Sequence, residues 1–167
     1  MENEVQLEGV DWTIIKGGFY DPDPAKVKGS KKLCETCKQL IQVPKRTLKE
    51  ELLKKFAKKV ADVSKAEGLK MNQLRNFYDV IKTTQNKLMQ THTLEQRKND
   101  FDFERRRLKL LFSKVVHAQQ RGKIPDVFVK FMNECLEIVT DEKAEYDDFE
   151  AFVLTFEAVT GYFGKDK

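Results

Sequence analysis

The chain has 167 residues, 40% hydrophobic and 35% charged, with twelve Phe and a formal net charge of +4. That length accommodates one domain with a sizeable core, and the aromatic content argues against disorder. Three cysteines exclude a disulfide scaffold, no apolar run of about 18 residues crosses a bilayer, and the acidic opening, Met1 to Val10, lacks the apolar stretch of a secretory signal.

Residues 1–46 read as an irregular N-terminal extension. Gly9, Gly17, Gly18 and Gly29 fall there with Pro22, Pro24 and Pro44. Asp21-Pro22-Asp23-Pro24 cannot lie inside a helix and reads as a connector. Trp12-Thr13-Ile14-Ile15 is short, apolar and β-prone, and is expected to dock as an extended arm. No segment alternates strongly enough to predict a strand.

After Pro44 the period becomes helical and stays so over 47–167, which reads as a single helical-bundle domain. Thr47 and Glu50 form a candidate capping box before Leu48, Leu52, Phe56, Val60 and Val63, and Gly68 stops this first helix. A second helix is predicted over 72–90, with Leu74, Phe77, Tyr78, Ile81 and Leu88 on one face. A third, long helix is predicted over 94–120, with Phe101, Leu108, Leu111, Phe112 and Val115 inward and Gly122 at its end. Pro125 suits the first turn of a fourth helix carrying Phe128, Phe131, Met132, Cys135 and Val139. A fifth, over 147–163, presents Phe149, Phe152, Val153, Phe156 and Val159. The fold class is therefore all-α: a five-helix bundle with an irregular N-terminal extension.

The net charge hides an asymmetry. Residues 45–123 hold 21 Lys and Arg against 9 Asp and Glu, a balance of +12, whereas residues 126–167 hold 4 against 11, a balance of −7. Within the basic part, Arg107, Lys114 and Arg121 recur every seven residues and share one stripe beside the apolar face of the third helix. Arg105, Arg106 and Lys109 broaden that stripe. Arg75 and Lys82 repeat the same spacing on the second helix, and Lys54 stands with Lys55, Lys58 and Lys59 on the first. Such stripes suit a linear polyanion, because each cation displaces a counterion. They position a backbone without reading its sequence. A solvated helical face is the competing reading.

No motif for catalysis is present: no Gly-rich phosphate loop, no G-x-S-x-G elbow, no H-E-x-x-H, and only two histidines, His92 and His117. Neither an enzyme nor a cofactor is expected. Asp141-Glu142 and Asp147-Asp148 sit near predicted helix starts, where carboxylates complement the dipole. Cys34-Glu35-Thr36-Cys37 is a lone C-x-x-C without the further ligands of an intrachain zinc site, and reads as structural cysteines.

Three segments resemble one family, in its order. Met71-Asn-Gln-Leu-Arg75-Asn-Phe77-Tyr78 is similar to a Q-[IL]-R-x-F-Y signature near the start of the small helical subunit of type III-A CRISPR–Cas effectors. Leu108 to Arg121 resembles that family's L-K-L-L-x-P-K-x-x-Y-x-x-x-R stretch, with Ser113 and His117 in place of Pro and Tyr. Phe152 to Tyr162 resembles its F-x-x-x-F-E-A-x-x-x-Y ending. The resemblance spans about residues 48–163 and leaves the extension unmatched.

The resemblance implies a non-catalytic, cytoplasmic subunit of a ribonucleoprotein filament. It would lie beside the large subunit and the repeating backbone subunits and contact guide RNA and target RNA through their backbones. The opposite charges of the two regions, and not the resemblance, suggest self-association with acidic fourth and fifth helices facing another copy's basic side, and composition suggests no membrane role. The resemblance places Arg75, Lys114 and Arg121 on basic positions of the family pattern, and Phe77, Tyr78, Phe156 and Tyr162 in the core. The stripes alone add Lys82, Arg107 and Lys54. A helical adaptor that binds only protein is the alternative.

Overall fold

A computed structural model describes residues 9–21 and 47–164 in full and the backbone of 28–33 and 40–45. The helical segments among these residues are α1 (Ala57–Ala66), preceded by a π turn at Leu52–Phe56, α2 (Met71–Met89), α3 (Leu94–Leu108), α4 (Leu110–Gln120), α5 (Asp126–Thr140) and α6 (Tyr146–Phe163). The all-α bundle expected from the periodicity is what forms. Its refinement is that the third predicted helix is broken at Lys109 into α3 and α4. There Lys109 N–H donates to the Arg106 carbonyl at 3.3 Å and Phe112 N–H to the Lys109 carbonyl at 3.2 Å, a local tightening from four-residue to three-residue spacing.

Helix ends follow local chemistry. Gly68 (φ +99°) closes α1 and Gly122 (φ +65°) closes α4, conformations that a Cβ disfavours. Thr93 caps α3 by accepting from the Gln96 N–H at 3.1 Å. The start of α6 is a reciprocal box between Glu145 and Asp148, in which the Glu145 N–H donates to the Asp148 carboxylate at 2.8 Å. Pro125 lies just outside α5, at its N-cap.

The helices pack around α6, which touches α1, α2, α3 and α5; α4 lies on α3 and α5. Phe128, Phe131, Phe149, Phe152 and Phe156 are fully buried together with Phe56. Phe131 and Phe156 rings sit 5.9 Å apart, and Phe152 meets Phe156 edge-on at 6.1 Å. Tyr78 stacks on Phe156 at 5.9 Å, so the aromatic positions of the family pattern do build or flank the core. Each such pair adds about 0.5–1.5 kcal/mol beyond the area it buries.

The N-terminal region departs from expectation in two places. Trp12–Ile14 is not an extended arm but a 3-10 turn, because the Asp11 carboxylate accepts the Thr13 N–H at 3.0 Å and so bends the chain locally. The turn, followed by Gly17 and Gly18 at positive φ, lets Ile15 and Phe19 bury completely. Tyr20 then bridges Leu48 in antiparallel fashion, and the Tyr20 hydroxyl donates to the Asp147 carbonyl at 2.6 Å. Further on, β1 (Lys28–Leu33) pairs with β2 (Leu40–Lys45) as an antiparallel ribbon, from Lys28 opposite Lys45 to Leu33 opposite Leu40. Backbone pairing sustains this ribbon where the sequence shows no alternation. Cys34 and Cys37 lie outside the described residues.

Candidate nucleic-acid interface

The short connection 90–93 folds α3 back alongside α2, and the pair is continued by α4 beyond the Lys109 break. Between α2 on one side and α3–α4 on the other runs an open groove of about 330 Å³. Its α2 wall carries Asp79, Val80, Thr83, Thr84 and Lys87, spaced as one helical face. Its other wall carries Glu104, Arg107, Leu108, Leu110, Leu111 and Lys114.

The groove gathers two of the six basic positions singled out in the sequence, Arg107 and Lys114, and adds Lys87, which the seven-residue spacing missed. Lys87 was legible as the i+4 neighbour of Thr83 on the same face. Lys114 is exposed. The Arg107 guanidinium lies 3.5 Å from the Glu104 carboxylate and 6.0 Å from the centre of the exposed Phe103 ring, an arrangement that holds it outward along the stripe. Arg121 follows Lys114 by seven residues just past α4, and Arg75 precedes Asp79 by one turn on α2; both are exposed.

The other positions are differently placed. Lys82 is half-buried, donating to the Glu157 carboxylate of α6 at 2.9 Å and to the Gln85 side chain at 2.6 Å. The hydrogen bond to Glu157 holds its ammonium above the ordinary lysine range. Tyr78 donates to the same carboxylate at 3.4 Å, and burial followed by the Glu157 charge pushes its hydroxyl up. Lys54 projects from the π turn that precedes α1, whose neighbours are α5 and α6, so it is not gathered with the groove. Lys54 and Lys55 are exposed there while Leu52 and Phe56 turn inward.

Arg105 corrects the stripe. It is buried, not a member of the solvated face: it donates to the Asp102 carboxylate at 2.7 Å and to the Thr140 carbonyl at 3.3 Å. Arg106, by contrast, is exposed on the outer face with a 3.5 Å approach to Asp102. The bond from Arg105 holds the Asp102 carboxyl below the usual carboxylate range.

The opposite sign collects elsewhere. Glu137, Asp141, Glu142, Glu145 and Asp147 are exposed along the end of α5, the following loop and the start of α6. Cys135 is enclosed in the core, and burial pushes its thiol well up, away from reactivity. Among the described residues there is no group of three or more His, Cys, Asp or Glu that could hold a metal ion, and no helix is long and apolar enough to cross a membrane. His117 is exposed on α4.

No curated protein and no solved structure matches the chain. One family does: the model of Csm2 of type III-A matches residues 47–165, which is most of the sequence and includes all three segments quoted above. A bundle of this architecture, carrying those segments in that order, thus belongs to the Csm2 family, the small subunit of type III-A CRISPR–Cas complexes.

Proposed function

We propose that this chain is a non-catalytic RNA-binding subunit that holds guide RNA and target RNA by their phosphate backbones and stabilises the effector filament. The observation that carries this reading is the convergence of Arg107, Lys114 and Lys87 on one groove, extended along the helices by Arg75 and Arg121. Lys54 would touch RNA from a separate face. Lys82, already committed to Glu157, would act by fixing α2 against α6 next to the contact surface. Backbone contacts of this kind make affinity fall with salt, with a logarithmic slope of about −0.7 for each phosphate on a single strand.

The acidic end of α5 and α6 complements this basic surface, so neighbouring copies would associate head to tail. Fluorescence polarisation with single-stranded RNA over a salt series tests the RNA reading. Replacing Arg75, Lys114 and Arg121 together with Ala should weaken binding and flatten the salt slope while helicity stays unchanged. Undiminished binding would sink the assignment. Light scattering over the same salts tests self-association, which should weaken as salt rises. Co-purification addresses the protein-only adaptor: a stoichiometric partner recovered without guide RNA would favour it.

A further inference from the structure

The groove between α2 and α3–α4 is not built only for a phosphate backbone. Its floor is apolar, formed by the half-buried Val80 and by Leu110 with Leu111 in the core behind them, and Leu110 is 64% exposed, uncovered by any other part of the described chain. Its rim carries Lys114, Lys87 and Arg107, the last paired with the buried Glu104 carboxylate at 3.5 Å, yet the α2 wall also presents the exposed carboxylate of Asp79. A carboxylate repels a phosphate lying in the groove, but it accepts hydrogen bonds from the amino groups of a nucleobase. The volume of about 330 Å³ stands at the small end of the range for small-molecule sites, room for one nucleotide within it while a paired strand would stay on its rim. Charge, apolar floor and size therefore select the same occupant.

We propose that this groove receives one unpaired nucleotide of the bound RNA. Its base lies on Leu110 and Val80 with an amino group toward Asp79, and its phosphate rests on Arg107 and Lys114. Phe103, 61% exposed beside Arg107, offers a stacking face for the neighbouring base. The proposal rests on the RNA-binding reading above and deepens it: the surface distinguishes unpaired from paired RNA, and a base bearing an amino group from the same ring without one. The second distinction is invisible to backbone contacts.

The test uses the whole protein and a short oligouridylate carrying one central 2-aminopurine, free or annealed to its complement. Binding of the free strand should change the 2-aminopurine fluorescence. Leu110→Ser, uncharged and at a position exposed enough to leave the fold intact, should weaken free-strand binding about five- to tenfold, the scale of one lost base contact, and leave duplex binding unchanged. Asp79→Ala, which removes the acceptor, should abolish the preference for the 2-aminopurine strand over one carrying unsubstituted purine at the same position. Circular dichroism of both variants should match the wild type.

Equal losses on free strand and duplex, or no fluorescence change on binding, would overturn the nucleotide site while leaving backbone binding standing. Failure of the wild-type protein to bind either RNA would overturn both readings together. Retention of RNA binding by Leu110→Ser with loss of a co-purifying protein subunit would assign the groove to protein and also overturn the proposal.

Discussion

The guanidinium of Arg105, on α3, donates to the carbonyl oxygen of Thr140 at the last turn of α5, 3.3 Å away and shielded from solvent. That carbonyl belongs to the set left without an intrahelical partner at a helix C-terminus, where positive charge is also favoured by the dipole. Removing the side chain strands a buried acceptor and unties α3 from α5. Arg105→Ala is expected to cost about 1.5–3 kcal/mol of unfolding free energy, measured by urea denaturation. RNA affinity of the folded variant should stay at the wild-type value. Arg107→Ala, two residues on, should show the reverse pattern: near-native stability and weaker RNA binding.

The separation of Arg105 from its neighbours was partly legible in the sequence. Arg105 falls four residues after Phe101 and three before Leu108, which places it on the inward face and not in the stripe of Arg107 and Lys114. Charge composition masked that spacing. What periodicity could not reveal is the Thr140 carbonyl, because a helical repeat says which residues face inward and nothing about what they meet. The same limit applies to Lys82, whose partner Glu157 lies 75 residues away on α6. Helix identities, the apolar faces and the glycine stops were legible because they are local; the break at Lys109 and the groove beside it depend on packing.

The N-terminal segment offers a second measurement. Phe19 is fully buried and stacks on Phe152 at 6.4 Å, and the Lys49 ammonium donates to the Ile14 and Lys16 carbonyls at 2.9 and 3.0 Å. Residues outside the family match thus fill the core of the matched region. Phe19→Ala should destabilise by about 3–5 kcal/mol, as a large cavity in an aromatic core does. A chain beginning at Thr47 should melt well below the full chain by circular dichroism. Equal melting temperatures would show that the helical region closes its core without this segment. Sequence alone pointed to a docking arm here, but a run such as Trp12–Ile15 does not encode its landing site, and the Asp11 cap overrode its β propensity.

Alkaline stability should report on Tyr146. Its ring lies under the Arg97 guanidinium at 5.2 Å and edge-on to Phe101. Burial first, then the Glu150 carboxylate beside it, push its hydroxyl from the ordinary tyrosine value of 10.0 up to about 12. The unfolded chain therefore releases this proton at lower pH than the folded chain does. The resulting contribution is fully present below about pH 10 and is lost as pH rises toward 12. Tyr78 and Lys82, both raised, act in the same direction, while Lys49, lowered mainly by burial, opposes them. Melting temperature should fall across this window in the wild type and fall less steeply in Tyr146→Phe. An unchanged slope would mean that Tyr146 ionises in the folded state as it does in the unfolded chain.

Lys82 and Lys114 separate a structural cation from a contact cation. Both are basic residues on the second and third sequence stripes, but Lys82 bonds Glu157 at 2.9 Å whereas Lys114 stands on the rim of the groove. A half-buried ammonium held by a carboxylate at 2.9 Å releases few counterions when RNA arrives, unlike the exposed Arg107, whose 3.5 Å approach to Glu104 engages one nitrogen of its guanidinium, so loss of Lys82 should leave the salt dependence nearly intact. Lys82→Met should instead loosen α2 from α6, with a stability loss of about 1 kcal/mol or less because the pair is partly solvated. Lys114→Met should reduce the magnitude of the logarithmic salt slope by about 0.7, one phosphate contact, with the melting temperature unmoved. Polarisation titrations of the two variants over the same salt series decide the matter. Equal slope changes in both would place Lys82 on the RNA and require its bond to Glu157 to open on binding.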